Sequence, residues 1–234
     1  MNRLIWRAIL WPLTALFVFG TLVGLDDLGF RQTLFSGALS ETVRAKALYK
    51  LLYDASVGGL VSLFFYALLV VIPERARRRR VRRGLEREYR HFKTTCIYEM
   101  LGVVHGSIDV AIADKLLDQK KFGTHFRANV GNGQDRFDAF LNGFGADNLR
   151  TILSAIDQFR DEVSFALSVV DIDDDEAFAF LRRISAVAHD IKDTELGYDE
   201  VMPLSRFLWF VLSGFDMVTG QTEEDVISKM IRRI

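Results

Sequence analysis

The side chains able to do chemistry are few and scattered along the chain. The acidic run Asp171–Glu176 (DIDDDE) places Asp171, Asp173 and Asp175 at alternate positions, as the first half of a calcium-binding loop does. The second half departs from that pattern. Glu176 stands where a glycine must turn the chain, and Arg182 stands where a bidentate glutamate must close the shell. The expectation is instead a helix start: Asp173 as N-cap, Glu176 three residues on as in a capping box, and the other acids favoured by the helix dipole.

His189-Asp190 is the kind of pair found in metal-dependent phosphohydrolases, but such a site needs further ligands from neighbouring helices. His105, His125 and Asp193 are candidates that no spacing ties together. His189 follows Ala188 at the edge of an apolar helical face, where a hydrogen-bonded structural histidine is expected. His105, in VVHGS, has no nucleotide-binding motif beside it, so the chain could not phosphorylate itself there. Ser107 is expected to cap a helix rather than to act as a nucleophile, which would need a base and an oriented partner. Cys96, the single cysteine, excludes an intrachain disulfide and sits on an apolar helical face, as a core thiol does. The three glycines between Phe122 and Gln134 fit neither GxxxxGK[ST] nor GxGxxG and mark a loop. No catalytic residue, metal site or cofactor is expected, and the chain does not read as an enzyme.

The elements around these residues are more informative. Ala8–Leu25 and Ala55–Ile72 are each 18 residues without a charge. At about 1.5 Å per residue each covers about 27 Å, close to the hydrocarbon thickness of a bilayer. Trp6 and Trp11 suit the interface, and Pro12 lies near the start of the first run. Arg3 and Arg7 would also suit a cleaved leader, but no A-x-A site follows.

Three residues after the second run comes RARRRRVRR, with seven arginines: Arg75, Arg77, Arg78, Arg79, Arg80, Arg82 and Arg83. Lys/Arg flank membrane spans on the cytoplasmic side. Arg3 and Arg7 precede the first run and Asp26 and Asp27 follow it, so both ends predict the same topology. The expectation is a two-pass protein of the inner (plasma) membrane with both termini cytoplasmic. It divides into a first transmembrane segment within 1–25, an extracytoplasmic loop 26–54, a second transmembrane segment 55–72, a basic juxtamembrane helix 73–90 and an acidic cytosolic helical domain 91–234. In the loop, Ser40 is expected to start an amphipathic helix carrying Val43, Ala47, Leu48, Leu51 and Leu52.

Charge partitions along the chain. Residues 73–90 hold nine Lys/Arg against three Asp/Glu, whereas 91–234 hold fifteen against twenty-four. The seven arginines are therefore assigned to anionic lipid headgroups, at about 1 kcal/mol each near the surface. Nucleic acid is not expected as a partner, because the adjoining domain would repel phosphates. Small residues predict how the spans pack: Gly20-x-x-x-Gly24 in the first, Ala55-x-x-x-Gly59 and Gly58-x-x-x-Ser62 in the second. Packing of the hairpin on itself is the first reading, and a homo-oligomer through the same faces is the alternative.

The rest reads as all-α. Leu85, Tyr89, Phe92, Cys96 and Met100 form one stripe, with Gly84 as a hinge. Asp147–Val170 is the clearest helix, its stripe running from Leu149 through Ile152, Ile156, Phe159, Val163 and Ala166. A tight turn leads to an antiparallel neighbour with Phe178, Leu181, Ile184, Ala188 and Ile191. Pro203 opens a helix that is apolar almost all round and is read first as the central helix of the bundle; a membrane-surface or partner-docking helix, with Phe207, Trp209 and Phe210 as the docking residues, is the alternative. The last helix is expected to start at Thr222, with Asp225 three residues on as in a capping box, and to carry Val226, Ile227, Met230 and Ile234.

The fold class is thus all-α, a two-helix transmembrane hairpin followed by a helical bundle. The expected function is a membrane-anchored scaffold or signalling subunit that binds a protein at the cytoplasmic face. An oligomeric effector that perturbs the bilayer is the second class, although only Thr14, Thr21, Ser56 and Ser62 could line a pore. A His/Asp phosphohydrolase is the third.

Overall fold

The computed structural model describes residues 3–24, 43–131, 133–216, 220–222 and 224–234. Asp26, Asp27 and Ser40, which carried the loop expectations, lie outside the described residues. The chain divides into two compact units, Met1–Arg77 and Arg78–Ile234.

In the first unit, helix α1 (Arg3–Gly24) and helix α2 (Val43–Tyr66) pack on each other. A Cβ added at Gly20 would collide with Ser56 Oγ, and one added at Gly59 would stand 2.5 Å from Phe17 Cζ. The order of these contacts reverses along the chain, so the helices run antiparallel. Val43, Ala47 and Leu51 belong to α2 itself, not to a separate surface helix. Pro12 lies well inside α1 rather than at its first turn.

After α2, a π-helical turn (Ala67–Val71) leads directly into helix α3 (Ile72–His105), and the N–H of Ile72 donates to Ala67 O. Pro73 lies in the first turn of α3, directly after the π-helical turn. It has no N–H to donate, and its ring crowds the carbonyl four residues back; the wider turn just upstream relieves that crowding. The helix Lys50–His105 is long and apolar enough to cross a membrane by length and composition. In α1 the apolar stretch among the described residues is Trp11–Leu22, shorter than a full span.

The second unit is a helical bundle. It contains the rest of α3, then α4 (Val110–Leu116), α5 (Gln119–Phe126), α6 (Arg136–Gly143), α7 (Ala146–Val169), α8 (Asp175–Asp190), α9 (Tyr198–Ser213) and α10 (Val226–Arg232). Two minimal hairpins interrupt the all-helical plan. In the first, β1 (Asn129–Gly131) pairs with β2 (Gln134–Asp135); in the second, β3 (Phe215–Asp216) pairs with β4 (Gly220–Gln221). The stretch expected as loop from Phe122 is helical up to Phe126 and only then turns, through Gly131 and Gly133 at positive φ.

The core follows from the periodic stripes. Leu85, Tyr89, Phe92, Cys96 and Met100 of α3 are buried, as are Ile152, Ile156, Phe159, Val163 and Ala166 of α7. Phe92 stacks on Phe159 at 5.5 Å, with Tyr89 5.4 Å from Phe159 and Phe207 of α9 6.3 Å from Phe92. α7 and α8 form the expected helical hairpin. One stripe position differs: Phe178 is exposed and Ala177 takes the core position. α3 is helical through Gly84, where a Cβ would come 2.7 Å from Glu162 Oε1 on α7.

Helix starts are set by aspartates one to three residues from the expected ones. Asp109, not Ser107, caps α4, accepting from the N–H groups of Ala111 and Ile112. Asp174, not Asp173, caps α8, and Asp225, not Thr222, caps α10. In each, the carboxylate accepts from the free N–H groups of the first turn. α9 starts at Tyr198, so Pro203 lies inside it, and Gly214 ends it at φ +68°.

Candidate functional site

The arginine run falls on two faces of α3. Arg75, Arg77, Arg79, Arg80 and Arg83 are exposed. Arg78 and Arg82 flank the buried Val81 on the side that continues into Leu85 and Tyr89. Arg78 is drawn to Asp173 at 3.1 Å, with only 15% of its side chain exposed. Arg82 approaches Glu86 at 3.8 Å. The seven arginines therefore do not share one face of α3, and Arg78 ties α3 to the α7–α8 turn.

The small residues of the first unit also separate. Gly20, Ser56 and Gly59 lie in the α1–α2 contact, with Ser56 buried. Gly58 has nothing within 4 Å of its Cβ direction, and Ser62 is exposed with its hydroxyl donating to Gly58 O. Ala55 is exposed, and Gly24 ends α1. Thr21 similarly donates to Val18 O. Each of these hydroxyls is satisfied by a carbonyl of its own helix.

The three docking candidates do not form one surface. Phe207 is a core residue, while Trp209 and Phe210 are half-buried at the edge. Phe137 meets the Trp209 ring edge-on at 4.8 Å, and the Arg127 guanidinium lies 5.3 Å from the Trp209 centroid and 5.0 Å from that of Phe215. Beside them is a pocket of 280 Å³ lined by Lys120, Gly123, Thr124, Arg127, Trp209 and Ser213. Between α3 and α7 lies a shallower polar cleft of 370 Å³, where His91 and Thr95 face Arg150 and Ser154.

Three acids of the run Asp171–Glu176 pair with arginines. Asp173 pairs with Arg78, and Glu176 and Asp174 pair with Arg233 at 2.5 and 3.6 Å. His189 is exposed in the last turn of α8. His105 and His125, far apart in sequence, are brought together with their Nε2 atoms 3.5 Å apart. Burial, the Arg136 charge and His105 hold the His125 imidazole below its usual pKa. Among the described residues, no group of three His, Cys, Asp or Glu side chains gathers around a point.

One polar cluster was not anticipated. Lys93 is buried on the core face of α3; it donates to Asp225 Oδ2 at 3.0 Å and to Leu117 O at 3.2 Å. Tyr89 donates to the same carboxylate at 3.0 and 3.1 Å. Asp225 also accepts from the N–H of Ser228. Burial, then the Asp225 charge, pushes the Tyr89 hydroxyl well above its ordinary pKa, so it stays a donor. The signal was present in the sequence: a lysine inside the apolar stripe between Tyr89 and Ile97. Every polar atom of this trio is partnered, which makes it a clamp between α3 and α10 rather than a reactive centre. Cys96, four residues on from Phe92, is fully buried, and burial followed by the Glu99 charge pushes its thiol up, away from nucleophilic thiolate.

Compared with protein-family models, with curated proteins and with solved structures, the chain matches none.

Proposed function

We propose that the protein is a two-pass inner-membrane protein, termini cytoplasmic, whose helical domain binds a protein partner at the membrane surface as a scaffold or signalling subunit. The observation that carries this reading is the helix Lys50–His105. It passes from an apolar length with exposed Val61, Phe64, Phe65, Leu68 and Leu69, through exposed arginines, to a core stripe of the bundle. That order is what a span, a headgroup layer and a tethered domain require. An exposed apolar run, Ile108, Val110 and Ile112, supports a protein partner for the domain.

Two measurements test the reading. In a Cys96→Ala background, a cysteine at Ser36 should react with an impermeant maleimide in intact cells, and one at Lys229 only after permeabilisation. Equal labelling of both would sink the topology. A photo-crosslinker at Val110 should then give one discrete adduct with a second protein, lost in Ile108→Asp.

The second reading, an oligomeric membrane effector, is favoured by the open Gly58–Ser62 face of α2. Self-adducts from a crosslinker at Ser62, together with collapse of the membrane potential on overexpression, would move the assignment there.

A further inference from the structure

The pocket beside Trp209 has a chemistry that the scaffold reading does not use. Lys120, Gly123, Thr124 and Arg127 recur at three- and four-residue spacing along and just past α5, so they share one helical face. Gly123 and Ser213 are buried and make the floor, with the Ser213 Cβ 3.6 Å from where a Gly123 Cβ would stand. Gln119 Nε2 donates to Val211 O at 2.7 Å and holds α5 against the end of α9. Both halves of the floor are therefore set by the fold.

Its two cations are not neutralised. Among the described residues neither Lys120 nor Arg127 has a carboxylate within ion-pair distance, and no acidic side chain lines the pocket. Other basic side chains of the domain, such as Lys121, Arg182 and Arg206, also show no ion pair among the described residues; what sets Lys120 and Arg127 apart is that both line one pocket. The Arg127 guanidinium is instead oriented by the rings of Trp209 and Phe215. Stacking fixes the plane of the guanidinium and leaves its edge N–H groups free to donate in a fork. The Thr124 hydroxyl, now donating to Lys120 O, lies on the same face and can rotate to a ligand.

We propose that this pocket binds the phosphate of a small phosphomonoester, with Arg127 and Lys120 on its oxygens and the Trp209 ring against its organic stem. A dianion matches two unpaired cations, and charge-assisted donors of this kind are the strong ones. The volume of 280 Å³ lies just under the range of about 300–1,000 Å³ typical of drug-sized ligands, which selects a small group. The same chemistry is offered by a soluble phosphomonoester and by the headgroup of phosphatidic acid. The inference does not rest on the scaffold reading.

The 234-residue chain contains Trp6, Trp11 and Trp209, so Trp6→Phe with Trp11→Phe leaves Trp209 as its indole reporter. In detergent micelles at constant ionic strength, glycerol phosphate and inorganic phosphate should each give a saturable change in Trp209 emission. Lys120→Ala should raise the half-saturating concentration about tenfold or more without moving the unfolding midpoint. Arg127→Ala should do at least as much; because it strips the ring of its stacked cation, its titration is read by calorimetry. Reconstitution separates the sources. An emission change in phosphatidic-acid vesicles, absent in phosphatidylcholine vesicles and abolished by Lys120→Ala, assigns the site to lipid. A change with soluble phosphate alone assigns it to a free metabolite. No saturable response to any of these probes, an equal response to chloride, or unchanged binding in Lys120→Ala would overturn the proposal.

Discussion

One helix carries the same residue types to two opposite fates. Between Lys50 and Ile72 its large apolar side chains face outward, with Phe64 62% and Leu69 66% exposed. Between Val81 and Leu101 the same kinds of side chain are sealed, with Leu85, Phe92, Ile97 and Met100 at 0%. The difference lies in what surrounds them in sequence. The first stretch is apolar on nearly every side, so no single partner helix can cover it; α1 covers only the strip at Ser56 and Gly59. The second is apolar on one stripe and charged elsewhere, so the bundle covers it completely. An all-round apolar helix calls for an apolar solvent, whereas a striped one calls for neighbours.

Predictions that test this contrast run from large effects to small. Phe159→Ala removes the ring stacked on Phe92 and should cost about 3–5 kcal/mol in chemical denaturation of the detergent-solubilised chain. Phe65→Ala, equally drastic as chemistry, should leave that midpoint unmoved. Equal losses would erase the distinction between the two stretches. Lys93→Met should cost up to about 3–5 kcal/mol by the same assay, because the Asp225 carboxylate, 16% exposed, is left without its cation. Restoration in Lys93→Met with Asp225→Asn would show that the penalty is the unpaired charge. Leu69→Arg should weaken insertion by about 2.5–3.5 kcal/mol and shift the protein out of the carbonate-resistant membrane fraction.

A subtler test concerns the two adjacent glycines. Gly59→Leu must displace the Phe17 ring, at about 1–3 kcal/mol, whereas Gly58→Leu meets nothing. The yield of a disulfide between cysteines placed at Gly20 and Ser56 should fall only for Gly59→Leu; a fall for both would mean that the Gly58 face is occupied. The smallest effect is set by pH. His125 binds its proton less readily folded than unfolded, so the unfolded chain takes up more protons as pH drops. Stability from this residue should be complete above about pH 6.5 and decline as pH falls below it. His125→Phe should flatten that slope in urea titrations repeated from pH 7.5 to pH 5.

Much of the bundle was legible because its signal is local. The stripes of α3, α7 and α9 name their own buried residues, and the apolar run Ala55–Ile72 names itself by length. Helix starts were legible to within a few residues and no better, since several aspartates compete for each cap and the choice depends on what else claims them. Asp174 caps α8 while Asp173 pairs with Arg78. Phe207 lies in a segment apolar almost all round, so its sequence fits both a central helix and a docking face, and its contact with Phe92 shows the core position.

What the sequence by itself determined is composition along an axis: an apolar length, a belt of arginines, and an acidic domain of amphipathic helices. Period and charge order suffice for that, because each helix carries its own instruction. Only tertiary structure decided which distant polar groups meet. Lys93 with Asp225, His105 with His125, and Lys120 and Arg127 beside Trp209 are separated in sequence by between 20 and 132 residues in the first two pairs. Their encounters follow from how α3, α5, α9 and α10 pack, and packing depends on the joint volume of the core rather than on any one helix's pattern.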